Sequence, residues 1–252
     1  MGKKEFPSLD EVLEKRLYHH HFQPIICMDS NAPHGYECLL RTPFAGNPQK
    51  LFRKAILERR LFELDISSII HAIDHINRHA DLFESGTKFY LNVYPSTLVS
   101  PAFIILLKDM ITASPFDASS FVLEINEDEL ISHAISLKPA VKRLRSIGVQ
   151  VALDDIGASI EHFDTMVTVR PDIIKLDKYF ANDLAASEHK KKHITMLSHY
   201  SRKNNMQIVL EGIETHADLE AAVECGIPLI QGYLLGRPDD LLKIFSNKIS
   251  QQ

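Results

Sequence analysis

Seven side chains, Glu37, Asn92, Glu124, Asp154, Asp155, Lys175 and Glu211, stand at the ends of short apolar runs: GYECLL, FYLNV, FVLEI, VALDD, DIIKLD and IVLEG. Runs of this kind become buried strands, and an ionised carboxylate without a partner costs several kcal/mol in a protein interior. Five carboxylates placed this way along one chain need a shared compensator, and a cation site is the simplest. The donors are oxygens and no histidine ends a run, so hard ions such as Mg²⁺ or Mn²⁺ suit the set better than zinc. Five carboxylates exceed the need of one ion. Two ions sharing a bridging carboxylate would balance the charge, and paired cations suit phosphodiester hydrolysis by activating water and holding the leaving oxygen. Lys175 would add positive charge beside them, as a desolvated amine able to orient the water or screen a phosphate. A lyase using Mg²⁺ and a lysine base would draw on the same residue types.

For these residues to meet, the chain must bring many strand ends to one place. Strand-like runs at roughly 22–28, 35–41, 88–93, 121–126, 149–154, 172–177, 206–211 and 228–232 alternate with amphipathic stretches. Residues 135–147 predict a helix with Val141, Leu144 and Ile147 inward, Lys142, Arg143 and Arg145 outward, and Gly148 as its stop. Residues 215–225 predict another, with Thr215 as N-cap, Leu219, Ala222 and Val223 on one face, and Gly226 as its stop. Eight strands alternating with helices predict an α/β fold whose parallel sheet closes into a (β/α)8 barrel. A doubly wound open sheet is the alternative, without a GxGxxG or GxxxxGK[ST] motif in its favour. In a barrel the C-terminal strand ends converge on one mouth, which would gather the seven residues with Gln231.

The chain is long enough for one barrel domain spanning residues 1–252, with a core of about 20–240 and an N-terminal extension over 1–19. A formal charge of −5 excludes a general binder of polymeric nucleic acid, which needs a clustered cationic face. Cys27, Cys38 and Cys225 are too few and too scattered for a disulfide framework. The apolar run Phe103–Leu107 stops at Lys108, far short of a membrane span, and MGKKEF carries no signal-peptide pattern. A cytoplasmic protein with no membrane partner is the expectation. His19, His20 and His21 resemble a metal tract, but consecutive strand residues alternate faces and cannot all reach one ion.

The segments QPI at 23–25, ECLLR at 37–41, LNVYPSTL at 91–98, LEINE at 123–127, ALDDIG at 152–157, PDIIKLD at 171–177, EGIE at 211–214 and QGYLLGRP at 231–238 resemble, in order, the EAL-domain family of cyclic di-GMP phosphodiesterases. The resemblance implies a TIM-like barrel whose first strand is antiparallel to the rest, and hydrolysis of cyclic di-GMP to linear pGpG with two Mg²⁺ or Mn²⁺ ions. It implies that Glu37, Asn92, Glu124 and Asp154 hold the first ion and that Asp155 helps hold the second. Lys175 and Glu211 match the groups that position or deprotonate the attacking water. Glu214 and Gln231 match contacts around the metals and their waters, Arg41 the arginine that binds a substrate phosphate, and Glu127 the glutamate that braces the loop after the Asp pair.

Three departures from the family pattern stand out. Cys38 replaces the alanine of Glu-Ala-Leu and is expected to point away from the metal if Glu37 points toward it. Val93-Tyr94-Pro95 replaces Leu-Ser-Pro beside the purine pocket. The family's Phe-Gly-Thr-Gly-Tyr-Ser-Ser loop reads Ile156-Gly157-Ala158-Ser159-Ile160-Glu161-His162, one glycine poorer. In the family that loop ties metal binding to a dimer interface. The resemblance thus implies a homodimer, and the altered loop sets the alternative expectation, a receptor or interaction module that binds cyclic di-GMP or a regulatory protein partner with little or no turnover.

Overall fold

A computed structural model describes residues 6–44, 48–125, 130–156 and 160–249. Eight strands form one closed barrel in sequence order: β1 His19–Cys27, β2 Ala32–Arg41, β3 Lys88–Val93, β4 Phe121–Ile125, β5 Gln150–Ile156, β6 Ile173–Leu176, β7 Gln207–Leu210 and β8 Leu229–Ile230. β1 runs antiparallel to both neighbours, β2 and β8, while β2 through β8 are parallel. All eight expected strands are present. β1 starts at His19 rather than near 22 because its polar head pairs with the tail of β2, His19 opposite Arg41 and His21 opposite Leu39.

Strand residues alternate between two cores, as a period of two requires. Outward residues such as Leu91, Leu123, Leu153, Ile174 and Ile208 pack against the helices. Inward ones, Ile25, Tyr90, Val122, Ala152, Ile173, Val209 and Leu229, form a separate cluster inside the barrel. The helix Leu61–Arg78 covers one flank, burying Leu64, Ile69, Ala72, Ile73 and Ile76.

The two helices singled out by sequence both form and both end just before their glycines, the first starting at Leu130, five residues before the expected 135. Leu130–Ser146 ends before Gly148, whose φ of +88° suits glycine, and it buries Val141 and Leu144. His216–Glu224 begins after Thr215, whose side chain accepts from the Asp218 amide, and Gly226 follows at φ +77°. The inward face of this second helix differs from expectation. Val223 is 46% exposed, and the buried stripe runs through Asp218, Ala221, Ala222 and Cys225 at the i, i+3, i+4, i+7 spacing.

Candidate active site

The inner apolar cluster fixes the level of the site. Two residues beyond Tyr90, Val122, Ala152, Ile173, Val209 and Leu229, on the same inward face, come Asn92, Glu124, Asp154, Lys175, Glu211 and Gln231. Glu37 joins them from β2, facing Gln23 across the β1–β2 ladder. Apolar packing closes the barrel below, and a polar layer occupies the level above, at the mouth.

Lys175 is the centre of that layer. Its Nζ lies 2.5 Å from Glu211 Oε1, 2.8 Å from Glu124 Oε1, and 3.3 Å from both Glu37 Oε2 and Asp154 Oδ1. The side chain is 1% exposed and that of Glu124 is 0% exposed, whereas Asp154 and Glu211 keep 19% and 21% exposure. Gln231 Nε2 donates to Glu37 Oε2 at 2.7 Å, and Asn92 Nδ2 donates to Glu37 Oε1 at 3.4 Å. These bonds turn the Glu37 carboxylate toward the lysine.

Asp154 and Asp155 are sequence neighbours, which a regular strand would point to opposite faces. The ladder between β5 and β6 carries one extra residue here: Leu153 pairs with Ile174 and Ile156 with Leu176, so both aspartates stand against Lys175 alone. Asp155 adopts φ +52°, a left-handed backbone that aspartate tolerates better than most residues. With this bulge, oxygens of Asp154, Asp155 and Glu211 all lie within 4.8 Å of one another.

The electrostatics follow from burial and crowding. Burial pushes the Glu124 carboxyl well above the usual carboxylate range, and the charges of Glu37 and Asp154 add to this against the pull of Lys175. Glu211 is raised for the same reasons, burial first, opposed by Lys175 and reinforced by Asp154 and Glu37. Burial would raise Glu37 too, but the ammonium of Lys175 and the bonds from Gln231 and Asn92 hold it below its ordinary value. Burial would lower Lys175, and the four carboxylates outweigh it and raise the amine. Glu124, Glu211 and Lys175 thus hold their protons more tightly, while Glu37 is favoured as a carboxylate. Five carboxylates and one ammonium leave a formal charge of −4, the charge that two divalent cations neutralise. Glu124 Oε2 and Gln231 Oε1 are buried without a hydrogen-bond partner, and the donor set is oxygen throughout. The residues fit hard divalent ions.

A cavity of about 300 Å³ opens beside the cluster, lined by Arg41, Asn92, Asp154 and Asp155 among others. Arg41 is half-buried there and donates from Nη1 to the Leu40 carbonyl at 3.0 Å. Cys38 points the other way, into the core between barrel and helices, as its neighbour Glu37 requires. Glu214 is exposed on the stretch between β7 and the helix His216–Glu224, and no ion pair links it to Lys175. Glu127 and residues 157–159 of the altered loop lie outside the described residues, as do the side chains at 160–163.

Two polar residues of this region escaped the sequence reading. Gln23 occupies the inward level of Glu37 and donates from Nε2 to the Gly236 carbonyl at 3.1 Å. Asp65, 1% exposed on the helix Leu61–Arg78, lines the cavity and accepts from the Tyr94 amide at 2.9 Å, bracing the turn that follows Asn92. The signal was present: Asp65 and Ser68 interrupt the buried face formed with Leu64, Ile69 and Ala72.

Residues 8–238 match the model of the EAL domain. Among relatives, the cyclic di-GMP phosphodiesterase PdeF of Escherichia coli K12 is 25% identical over 241 residues, 91% of this chain and 32% of PdeF. The chain thus spans about a third of that relative's length. BlrP1 of Klebsiella pneumoniae, solved as a calcium and cyclic di-GMP complex, superposes with a TM-score of 0.80 at 24% identity, over 94% of this chain and 58% of that one. The EAL domain of Pseudomonas aeruginosa FimX, solved bound to cyclic di-GMP, gives 0.81 at 23% identity over 92% and 94%. At these identities the two structures speak for the barrel itself.

Proposed function

We propose, from the premise that this chain belongs to the EAL domain family, that it is a divalent-cation-dependent phosphodiesterase that hydrolyses cyclic di-GMP to linear pGpG. The observation that carries this reading is the buried cluster at the barrel mouth, in which four carboxylates converge on Lys175 beside a cavity lined by Arg41. The name of PdeF and the cyclic di-GMP held by BlrP1 and FimX support the choice of substrate.

Glu37, Asn92, Glu124 and Asp154 would hold one Mg²⁺ or Mn²⁺ ion and Asp155 would help hold a second. Bound there, the ions would polarise the phosphoryl group, acidify the attacking water and neutralise the leaving oxygen. Lys175, fixed by four ion pairs, sets its positive charge beside the water and so orients its line of approach. Glu211, whose Oε1 lies 2.5 Å from Lys175 Nζ, is placed to accept that water's proton. Arg41 offers two parallel N–H groups to a phosphate in the cavity. Gln231 keeps Glu37 aimed inward, and Glu214, on the same stretch as Glu211, joins the outer contacts once substrate fills the mouth. One P–O bond forms to the water oxygen and one P–O bond to a ribose breaks, opening the ring to pGpG.

The chain acts as a homodimer in the cytoplasm. Ile135, 88% exposed, and Val167, 44% exposed, on the neighbouring helices Leu130–Ser146 and Ile160–Val169 support a subunit contact on that side, which sedimentation would test. The activity itself is tested by incubating the purified chain with cyclic di-GMP and Mg²⁺ or Mn²⁺ and separating the products. The expected result is pGpG, abolished by a chelator and restored by either ion. Intact substrate after long incubation at high enzyme, with calorimetric binding of cyclic di-GMP, would replace this proposal with the receptor reading.

A further inference from the structure

Above the polar layer, β1 carries groups that the hydrolytic site does not use. His20 turns outward: it is 2% exposed, its Nε2 lies 3.0 Å from Ser68 Oγ, and its ring contacts those of Tyr18 and His71. Alternation then leaves His19 and His21 together on the opposite, mouth-facing side of the strand. Their rings are 5.0 Å apart between centroids and their Nε2 atoms 3.3 Å apart. The ladder places His21 opposite Leu39 and His19 opposite Arg41, so the pair stands two and four residues beyond the Gln23–Glu37 level. That is roughly 7 and 13 Å along the strand at about 3.3 Å per residue.

We propose that His19 and His21 form a second metal site, an imidazole pair at the barrel rim that takes a borderline divalent ion such as Zn²⁺ and is separate from the oxygen-donor cluster. Two ligand atoms on a tetrahedral ion with bonds of about 2.0–2.1 Å sit about 3.3–3.4 Å apart. The two Nε2 atoms already stand at that separation. Donor chemistry divides the two sites, since carboxylates and amides suit Mg²⁺ and Mn²⁺ whereas imidazole suits zinc and its neighbours. Asp239 and Asp240 approach His21 from the segment bridged to Phe22 and oppose the like charges of His19 and Arg41. Two other histidine pairs are as close: His189 and His193 at i, i+4 on the helix Glu188–Lys203, with centroids 4.2 Å apart, lie among Lys190, Lys191 and Lys192, which repel an ion, and His75 and His79, with centroids 4.9 Å apart, have the Nδ1 of His79 already bonded to the His75 carbonyl at 2.9 Å. The rim site offers two protein ligands and keeps its remaining positions open toward the mouth.

The test uses the full chain in a His79→Ala/His189→Ala/His193→Ala background with excess Mg²⁺ present, so that neither the other histidine pairs nor the carboxylate cluster competes. Zn²⁺ is titrated by calorimetry, and the histidine ring nitrogens are followed by NMR. The expected result is a Zn²⁺-dependent shift of the Nε2 signals of His19 and His21. His19→Ala and His21→Ala should each weaken Zn²⁺ binding by roughly tenfold or more, since loss of a mere supporting partner to a metal ligand already costs about 10–100-fold. Unmoved ring signals, or equal Zn²⁺ affinity in parent and variants, would overturn the site and leave the pair as a hydrogen bond only. The readout is metal binding at the rim, so its failure is distinguishable from failure of hydrolysis.

Discussion

Replacing Lys175 by methionine removes the positive centre of the site while keeping most of its volume. Its ammonium serves Glu37, Glu124, Asp154 and Glu211 at 2.5–3.3 Å, and the lysine and Glu124 side chains are 1% and 0% exposed. Deleting one partner of a buried ion pair costs about 3–5 kcal/mol, because the remaining charge stays buried and uncompensated. With four carboxylates left behind, we expect Lys175→Met to lose that amount of unfolding free energy in a chelator at neutral pH. Partial relief comes from protons. Glu124 and Glu211 are already raised by burial, and without the lysine they hold protons to still higher pH, well above their unfolded values. The native state then binds more protons than the unfolded chain, so the variant's stability should fall as pH rises from 5 to 8. A divalent ion binds the native state alone and can replace the missing charge, so Mn²⁺ should restore more stability to the variant than it adds to the parent. Urea unfolding with chelator and with Mn²⁺, at several pH values, measures all three effects. A variant within about 1 kcal/mol of the parent in chelator would refute the claim that the lysine is the internal counter-ion, since a lost buried charge partner cannot be that cheap.

Glu211→Gln keeps shape and removes the proton acceptor; turnover should drop by about 10²–10⁴-fold while calorimetric binding of cyclic di-GMP persists. Glu124→Gln removes the most deeply buried charge, so the protein should become more stable in chelator at neutral pH while its stabilisation by Mn²⁺ shrinks; a loss of stability in chelator would contradict the assignment. His20 is held neutral by burial, its pKa lowered from 6.5 to about 3, so only the unfolded chain takes up its proton as pH falls below 6.5. The parent should therefore lose about 2 kcal/mol more between pH 7 and pH 5 than His20→Gln, measured by denaturant unfolding.

The strand count, the closure and the seven polar strand-end residues were legible because a barrel repeats one rule eight times. Each parallel strand ends at the mouth, and a polar residue after an apolar run is visible by alternation alone. What was hidden depends on departures from that rule. Gln23 sits in the first half of its strand, and only because β1 runs backwards does that half reach the mouth. Asp65 belongs to a helix, where polar residues on a buried stripe are masked by a period of 3.6. The common orientation of Asp154 and Asp155 needs a bulge and a left-handed aspartate, with no glycine to announce either.

The position of Lys175 shows why such a site can exist in a stable barrel. A mouth bearing five inward carboxylates and no cation would repel itself, and folding must be completed before ions can find an assembled site. A lysine on β6 solves this from within the chain, because the β6–β7 register sets it opposite Val209, two residues before Glu211, and the β5 bulge leaves both aspartates facing it. The ammonium therefore holds together, during folding, the same oxygens that cations would later share. It cannot satisfy them fully: one unit of charge against five leaves −4, and Glu124 Oε2 stays unpartnered. That residue of unmet charge is what gives divalent ions their affinity, so stability and cation binding draw on the same deficit. A substitution that relieves the deficit inside the chain should stabilise the fold and weaken the ions together, whereas one that deepens it, as at Lys175, should do the reverse.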